Sequence, residues 1–223
     1  LQNSIEPGQD PERVLQLMAL LTVLSLAPSI VIMTTSFVRI VVVLSLLRTA
    51  VGLQQSPPNA VLISLAIFLT GFIMAPVFSQ SYEQGIRPLL DGEIELTEAF
   101  DRSSAPVKTF MLAHTREDDL GLFIGFMAGD PPASAEETPF HVVAPAFMIS
   151  ELRRAFEIGF LLFIPFLIID LVVASILMSM GMMMLPPIVI SLPFKLIFFV
   201  LVDGWRLVAG SLVQSFATIS PPG

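Results

Sequence analysis

From Thr49 to Tyr82 the chain runs 34 residues without one charged side chain, and from residue 171 to 194 it runs another 24. About 20 apolar residues suffice for a helix to cross the hydrocarbon core of a bilayer. Runs of this length therefore constrain the chain to buried or membrane-crossing helices. The rest of the composition agrees. Charged residues make up 13% of the 223 positions and apolar residues 54%, where a soluble domain carries about a quarter charged residues. The composition argues against a water-soluble enzyme. With no cysteine, a disulfide scaffold, an iron–sulfur cluster and thiol chemistry are excluded.

The charge that remains is unevenly placed. Between Glu83 and Glu137 there are 12 acidic and 4 basic residues, while the remainder has 7 of each sign, so the net charge of −8 sits in one central segment. The chain thus divides into an N-terminal tail and first apolar hairpin (1–79), an acidic insertion (80–140) and a second apolar hairpin (141–223). Cytoplasmic loops are enriched in Lys and Arg, which puts the acidic insertion on the extracytoplasmic side. The first residue is Leu1. A cleaved secretory signal fits that start and places the polar residues 1–13 outside as well.

Residues 14–33 supply a first apolar stretch with Pro28 inside it, where a break or kink is expected. Thr34, Thr35 and Ser36 offer a new helical start for the stretch from Phe37 to Leu47, which carries Arg39. Together these form a broken or tilted pair of helices. QQSPPN (54–59) is a turn, and 59–79 is a second span. After the insertion, IGFLLFIPFLII (158–169) leads to Asp170, and a hairpin hinged at Gly181, Pro186 and Pro187 returns through Lys195 to Asp203. About four spans in two hairpins are expected. Arg153 and Arg154 then fall at the outer end of the third span, against the positive-inside rule. Two or three small helices are expected in the insertion, with apolar positions at Leu96, Phe100, Val107, Phe110 and Met111.

Catalytic signatures are absent: no phosphate loop, nucleophile elbow or Ser/His/Asp arrangement. His114 and Asp118 stand at i and i+4 on an expected helix, but a metal site needs three or four convergent ligands. A solvated helix face is the better reading, and no metal or other cofactor is implied. Charges in the apolar blocks are more informative, because an unpaired charge there costs several kcal/mol. A hairpin turning near residue 185 puts Lys195 level with residue 176 and about 9 Å short of Asp170. An extended Lys195 just reaches Asp170, and a neighbouring subunit shifted along the axis reaches it more easily; Asp203 falls almost beside Asp170, with Arg206 available as the cation. These charges read as ion pairs between helices or subunits, or as a proton relay. Five of the eleven methionines lie at Met178, Met180, Met182, Met183 and Met184. Methionine repacks against many shapes, so a Met-rich break next to two prolines suits a soft, water-excluding lip.

PAFMISELRRAFEIGF (145–160), IPFLIIDLVVA (164–174), GMMMLPP (181–187) and PFKLIFFVLVDGW (193–205) resemble signature segments of the flagellar biosynthetic protein FliP family, with further similarity in residues 37–48 and 54–70. The resemblance implies an all-α membrane protein that assembles as a helical pentamer with FliQ-like and FliR-like subunits. That assembly is the export gate of a type III secretion system in the bacterial inner membrane, at the base of the flagellar rod, with part of its apolar sequence on the periplasmic side. Unfolded exported proteins pass through its channel, in contact with other export-apparatus and rod proteins. Met182, Met183 and Met184 form a gasket by this likeness, and Glu151, Arg154, Glu157, Asp170, Lys195 and Asp203 bridge neighbouring subunits. The equivalent subunit of a virulence injectisome is the near alternative. A small ion-coupled transporter using Asp170 and Lys195, and an assembly factor without a channel, are the others. No nucleic-acid partner is implied.

Overall fold

The computed structural model describes residues 11–127, 130–182 and 184–217, and the described residues form helices and no strands. In chain order these are α1 (Pro11–Met33), α2 (Phe37–Val51), α3 (Asn59–Ser81), a π-turn (Tyr82–Ile86), α4 (Arg87–Leu90), α5 (Leu96–His114), α6 (Glu117–Ile124), a 3₁₀ turn (Ala135–Glu137), α7 (Phe140–Ser179), α8 (Pro187–Leu201) and α9 (Gly204–Ala217). The polar start, residues 1–13, falls largely outside the described residues.

α2 is the axis of the fold. Ile40, Val43, Leu44, Leu47, Ala50 and Val51 are buried against Leu62 and Ala66 of α3, Ala155 and Phe166 of α7, Phe199 of α8, and Val208 and Leu212 of α9. An apolar helix with most of its circumference covered and only Thr49 exposed is a core element, not a lipid-facing span. The approach of α7 depends on Gly159, where an added Cβ would stand 2.3 Å from Leu46 Cδ1. α2 ends at Gly52, whose φ of 91° lets its N–H and that of Leu53 reach back to the Thr49 and Arg48 carbonyls. Arg48 then closes the turn into α3 by donating to the Pro57 carbonyl at 3.2 Å and to Asn59 Oδ1 at 2.6 Å.

Several expectations are revised. The break between α1 and α2 comes at 34–36, as read from the three hydroxyl residues, but the helix continues through position 28 instead of breaking at the proline. α7 is one helix of 40 residues, with Pro145 and Pro165 inside it. Its length of about 60 Å at 1.5 Å per residue is twice the ~30 Å hydrocarbon thickness. Arg153 and Arg154 therefore lie inside a helix that continues on both sides of them, not at a helix end. By length and composition, two stretches among the described residues are able to cross a membrane, Asn59–Leu90 and Phe140–Ser179, and a third if the bent pair α8–α9 is one span. α8 and α9 meet at 61°, around Asp203 (φ 51°) and Gly204, whose missing Cβ makes room for the Phe199 ring.

The insertion holds one long helix, α5, where two apolar pieces were expected, followed by the shorter α6. It is tied to α7 by a small core of Met111, Val143 and Phe147 and by Ser150, which donates to Asp119 Oδ2 at 2.7 Å and accepts from the Arg116 N–H at 3.0 Å.

Candidate functional site

One fully buried ion pair and one half-buried pair hold the helices whose far ends carry the methionine loop. The first joins the halves of the chain. Arg39 of α2 and Glu151 of α7 are both fully buried; Nε of Arg39 donates to Glu151 Oε2 at 2.8 Å, and Nη2 donates to Oε1. The third nitrogen, Nη1, donates to Ser215 Oγ of α9 at 3.0 Å, and the guanidinium carbon lies 3.8 Å from the centre of the Phe216 ring. A planar fork that matches a carboxylate and stacks on an aromatic face is specific to arginine. Sequence reasoning singled out Arg39 and Glu151 but did not pair them, and it missed Ser215 and Phe216 altogether. The available signal was the spacing Val208, Leu212, Phe216, one buried residue per turn of α9.

The second pair closes the C-terminal hairpin. Lys195 Nζ stands 2.6 Å from Asp170 Oδ2 within the same chain, so no neighbouring subunit is needed to bridge them. Ser191 donates to Asp170 Oδ1 at 2.5 Å. Lys195 also donates to the Ala50 carbonyl at 3.4 Å, at the C-terminus of α2, where a cation is favoured by the helix dipole. The hairpin midpoint thus falls at residues 182–183, earlier than the residue 185 assumed from the prolines. The shift brings the pair into contact. Asp203, two helical turns or about 12 Å beyond Lys195, is not beside Asp170. It sits in the α8–α9 break, exposed, 4.0 Å from Arg206. Glu157 is exposed and pairs along α7 with Arg153 at 3.1 Å. Arg154 is half-buried, and its Nε has no hydrogen-bond partner.

Beyond the second pair lies the methionine loop. α7 ends in a left-handed turn at Gly181 (φ 73°), with Met182 N–H bonded to the Leu177 carbonyl at 2.9 Å and Gly181 N–H to the Met178 carbonyl at 3.1 Å. This αL closure suits glycine. Pro186 caps α8 and Pro187 occupies its first turn, where the missing N–H is no loss. Between these fixed ends Met182 is 44% exposed and Met184 99% exposed. Met183 lies outside the described residues. Below the loop, an apolar groove of about 570 Å³ separates α7 from α8, lined by residues such as Ile169, Val173, Leu177, Met180, Phe194 and Phe198.

His114 and Asp118 do not share a helix face. α5 ends at His114 and α6 begins at Glu117, so the chain turns between them. Asp118 is exposed and lies 3.4 Å from Arg116. His114, expected on a solvated face, is buried between the rings of Phe110 and Phe216, at centroid distances of 4.4 and 5.1 Å. Burial pushes its pKa down, and the charges of Arg39 and Arg154 push the same way, against the Phe110 and Phe216 carbonyls that favour the protonated ring.

A family model described as the FliP family matches residues 20–212 of the chain. Among curated proteins, the flagellar biosynthetic protein FliP of Caulobacter vibrioides is 74% identical over 92% of this chain and 77% of its own length. The protein of the same name from Bacillus subtilis is 56% identical over 96% of this chain and 98% of its own. That of Rhizobium meliloti is 53% identical over 96% and 88%.

Proposed function

Because the chain belongs to the FliP family, we propose that it is a subunit of the flagellar protein export gate in the bacterial inner membrane, and that its methionine loop seals the export channel. In this reading five copies join FliQ-like and FliR-like subunits around the channel, unfolded flagellar proteins pass between the loops, and the acidic insertion faces the periplasm. The matched relatives all carry a flagellar name, so the injectisome alternative is not favoured.

One observation carries the seal. Met184 is 99% exposed and Met182 44% exposed, at the tip of a hairpin with no charged side chain between Asp170 and Lys195. Such a tip is an unfavourable end for a lone chain in water and a favourable one where copies of it meet. An export channel has to hold back ions yet accept every kind of side chain. A rigid filter rejects substrates and a wide polar pore dissipates the membrane potential, whereas unbranched thioethers yield and close again. Gly181 and the two prolines fix the ends of the loop, so compliance is confined to the methionines.

The test replaces Met182, Met183 and Met184 together with Ala. The expected outcome is a complex of unchanged mass in detergent, and cells or vesicles that leak ions when it is present. Wild-type permeability in membranes containing the assembled variant would remove the seal from the reading and leave the family assignment standing.

A further inference from the structure

The chain has two histidines, and they stand in opposite environments. His141 is exposed, whereas His114 is 5% exposed. His114 terminates α5 in the insertion, and its ring, beside that of Phe110 stacked 6.0 Å from Phe216, is one of two α5 rings by which the insertion touches the last turn of α9. Its Nδ1 stands 2.8 Å from the Phe110 carbonyl. In the neutral ring that nitrogen is the donor, and Nε2 is left buried with no hydrogen-bond partner. One face of the surroundings is apolar: Phe72, Ile73, Pro76 and Val77 of α3 line the cleft that His114 shares with Val213 and Phe216 of α9. The charges that face the ring are Arg39 from α2 and Arg154 from α7, with Glu151 of α7 spent on its bidentate pair with Arg39. From α9 come the Phe216 carbonyl and, through Arg39, the Ser215 hydroxyl.

The last turn of α9 is thus held by three neighbours on one ring, Phe110 stacking on Phe216 beside the other two. Arg39 stacks on Phe216 and donates to Ser215; His114 packs against the same Phe216. With His114 neutral, the facing group of buried Arg39 and Glu151 and half-buried Arg154 sums to +1. A proton on His114 raises it to +2 in a site with no second carboxylate facing the ring among the described residues. We propose that His114 is a proton-operated latch: neutral, it holds the end of α9 against the insertion, and on taking up a proton it lets that end go.

The direction follows from linkage. Burial sets the folded-state pKa of His114 below its ordinary value of 6.5, so the unfolded or released form binds the proton more readily. The latch contributes its full stability above the ordinary value and loses it as pH falls through that value toward the lowered one. The Phe216 carbonyl opposes release by offering the imidazolium a second bond, and the experiment decides between the two.

Hydrogen exchange of the α9 amides in the full chain in detergent, corrected for the intrinsic pH dependence of exchange, measures the latch. Between about pH 7.5 and about pH 5.5 the last turn of α9 should lose protection severalfold, up to a ceiling of about tenfold set by acidifying one pH unit below the ordinary histidine value. His114→Phe, which keeps the aromatic stack and cannot take a proton, should show no such loss. Should that variant fail to fold, the wild-type chain still gives an answer, because two imidazole resonances are separable by NMR. α9 protection should then follow the titration of His114 and not that of exposed His141. Protection that rises on acidification, that tracks His141, or that falls equally in His114→Phe would overturn the latch.

Discussion

Arg39 uses all three guanidinium nitrogens on partners from two other helices, Glu151 and Ser215. Burying both charges is expensive, and the return comes only while every partner is in place. Removing one member of such a pair strands the other and costs about 3–5 kcal/mol, whereas replacing both with apolar groups is often neutral or better. Glu151→Gln or Arg39→Met should therefore lower the thermal midpoint of the detergent-solubilised chain sharply, as read from its helical circular dichroism. The double change Arg39→Met with Glu151→Leu should recover much of the loss. Equal midpoints for the single variants and the parent would show that the pair is not the clasp described. This pair was only half legible in the sequence. Each residue stands out as a charge in an apolar block, but a separation of 112 positions offers no spacing rule to join them. Asp170 and Lys195 were different: both lie on one hairpin, so counting along two helices came within one side chain's reach, and the error lay in where the loop turns.

The helices repeat this contrast. The start of α2 was legible because three hydroxyl residues follow an apolar run. α7 was not recognised as a single helix, because ELRRAFE in its middle reads as a polar boundary. Only the pairing of Glu151 with Arg39, and the exposed Arg153–Glu157 pair on the opposite side, make those charges compatible with an uninterrupted helix. α9 was hidden by Asp203-Gly204, which reads as an end and acts as a bend. At the insertion, the π-turn is pressed onto α5 at Gly85, where a Cβ would stand 2.5 Å from the Ala99 carbonyl oxygen and 2.7 Å from the Ser103 nitrogen. Backbone atoms of a helix cannot move aside singly. Gly85→Ala should accordingly destabilise the docking of α5 by about 1–3 kcal/mol, the usual cost of overpacking, and increase protease cleavage within the insertion. Gly71→Ala, which meets no atom within 4 Å, is the control and should leave cleavage unchanged. Equal cleavage of both variants would show that the close approach at Gly85 does not set the position of α5.

At the scale of the molecule the surface is too large for a chain that stands alone. It exposes 15121 Å², against roughly 10,000 Å² for a compact monomer of this mass by the usual scaling. Lipid accounts for only part of the excess. Exposed apolar side chains run along α7 from Ile149 through Phe160 and Leu171 to Met178, about 44 Å of helix; a bilayer core of ~30 Å covers about two-thirds of that length. The remainder needs protein, and the groove between α7 and α8 continues the same apolar face. Two of the ion pairs, Arg39–Glu151 and Asp170–Lys195, fasten helices within the chain, which makes this apolar face the larger surface on offer for the proposed assembly. Light scattering of the purified complex, corrected for bound detergent, should then give a protein mass of several multiples of 24.3 kDa. A photo-crosslinker at Phe156 and another at Ile176, some 30 Å apart along α7, should both capture protein in the assembled complex. A monomeric or dimeric mass would sink the proposed pentamer. Capture of lipid alone at both positions would show that α7 is covered by membrane after all, and that the chain's excess surface has a different origin.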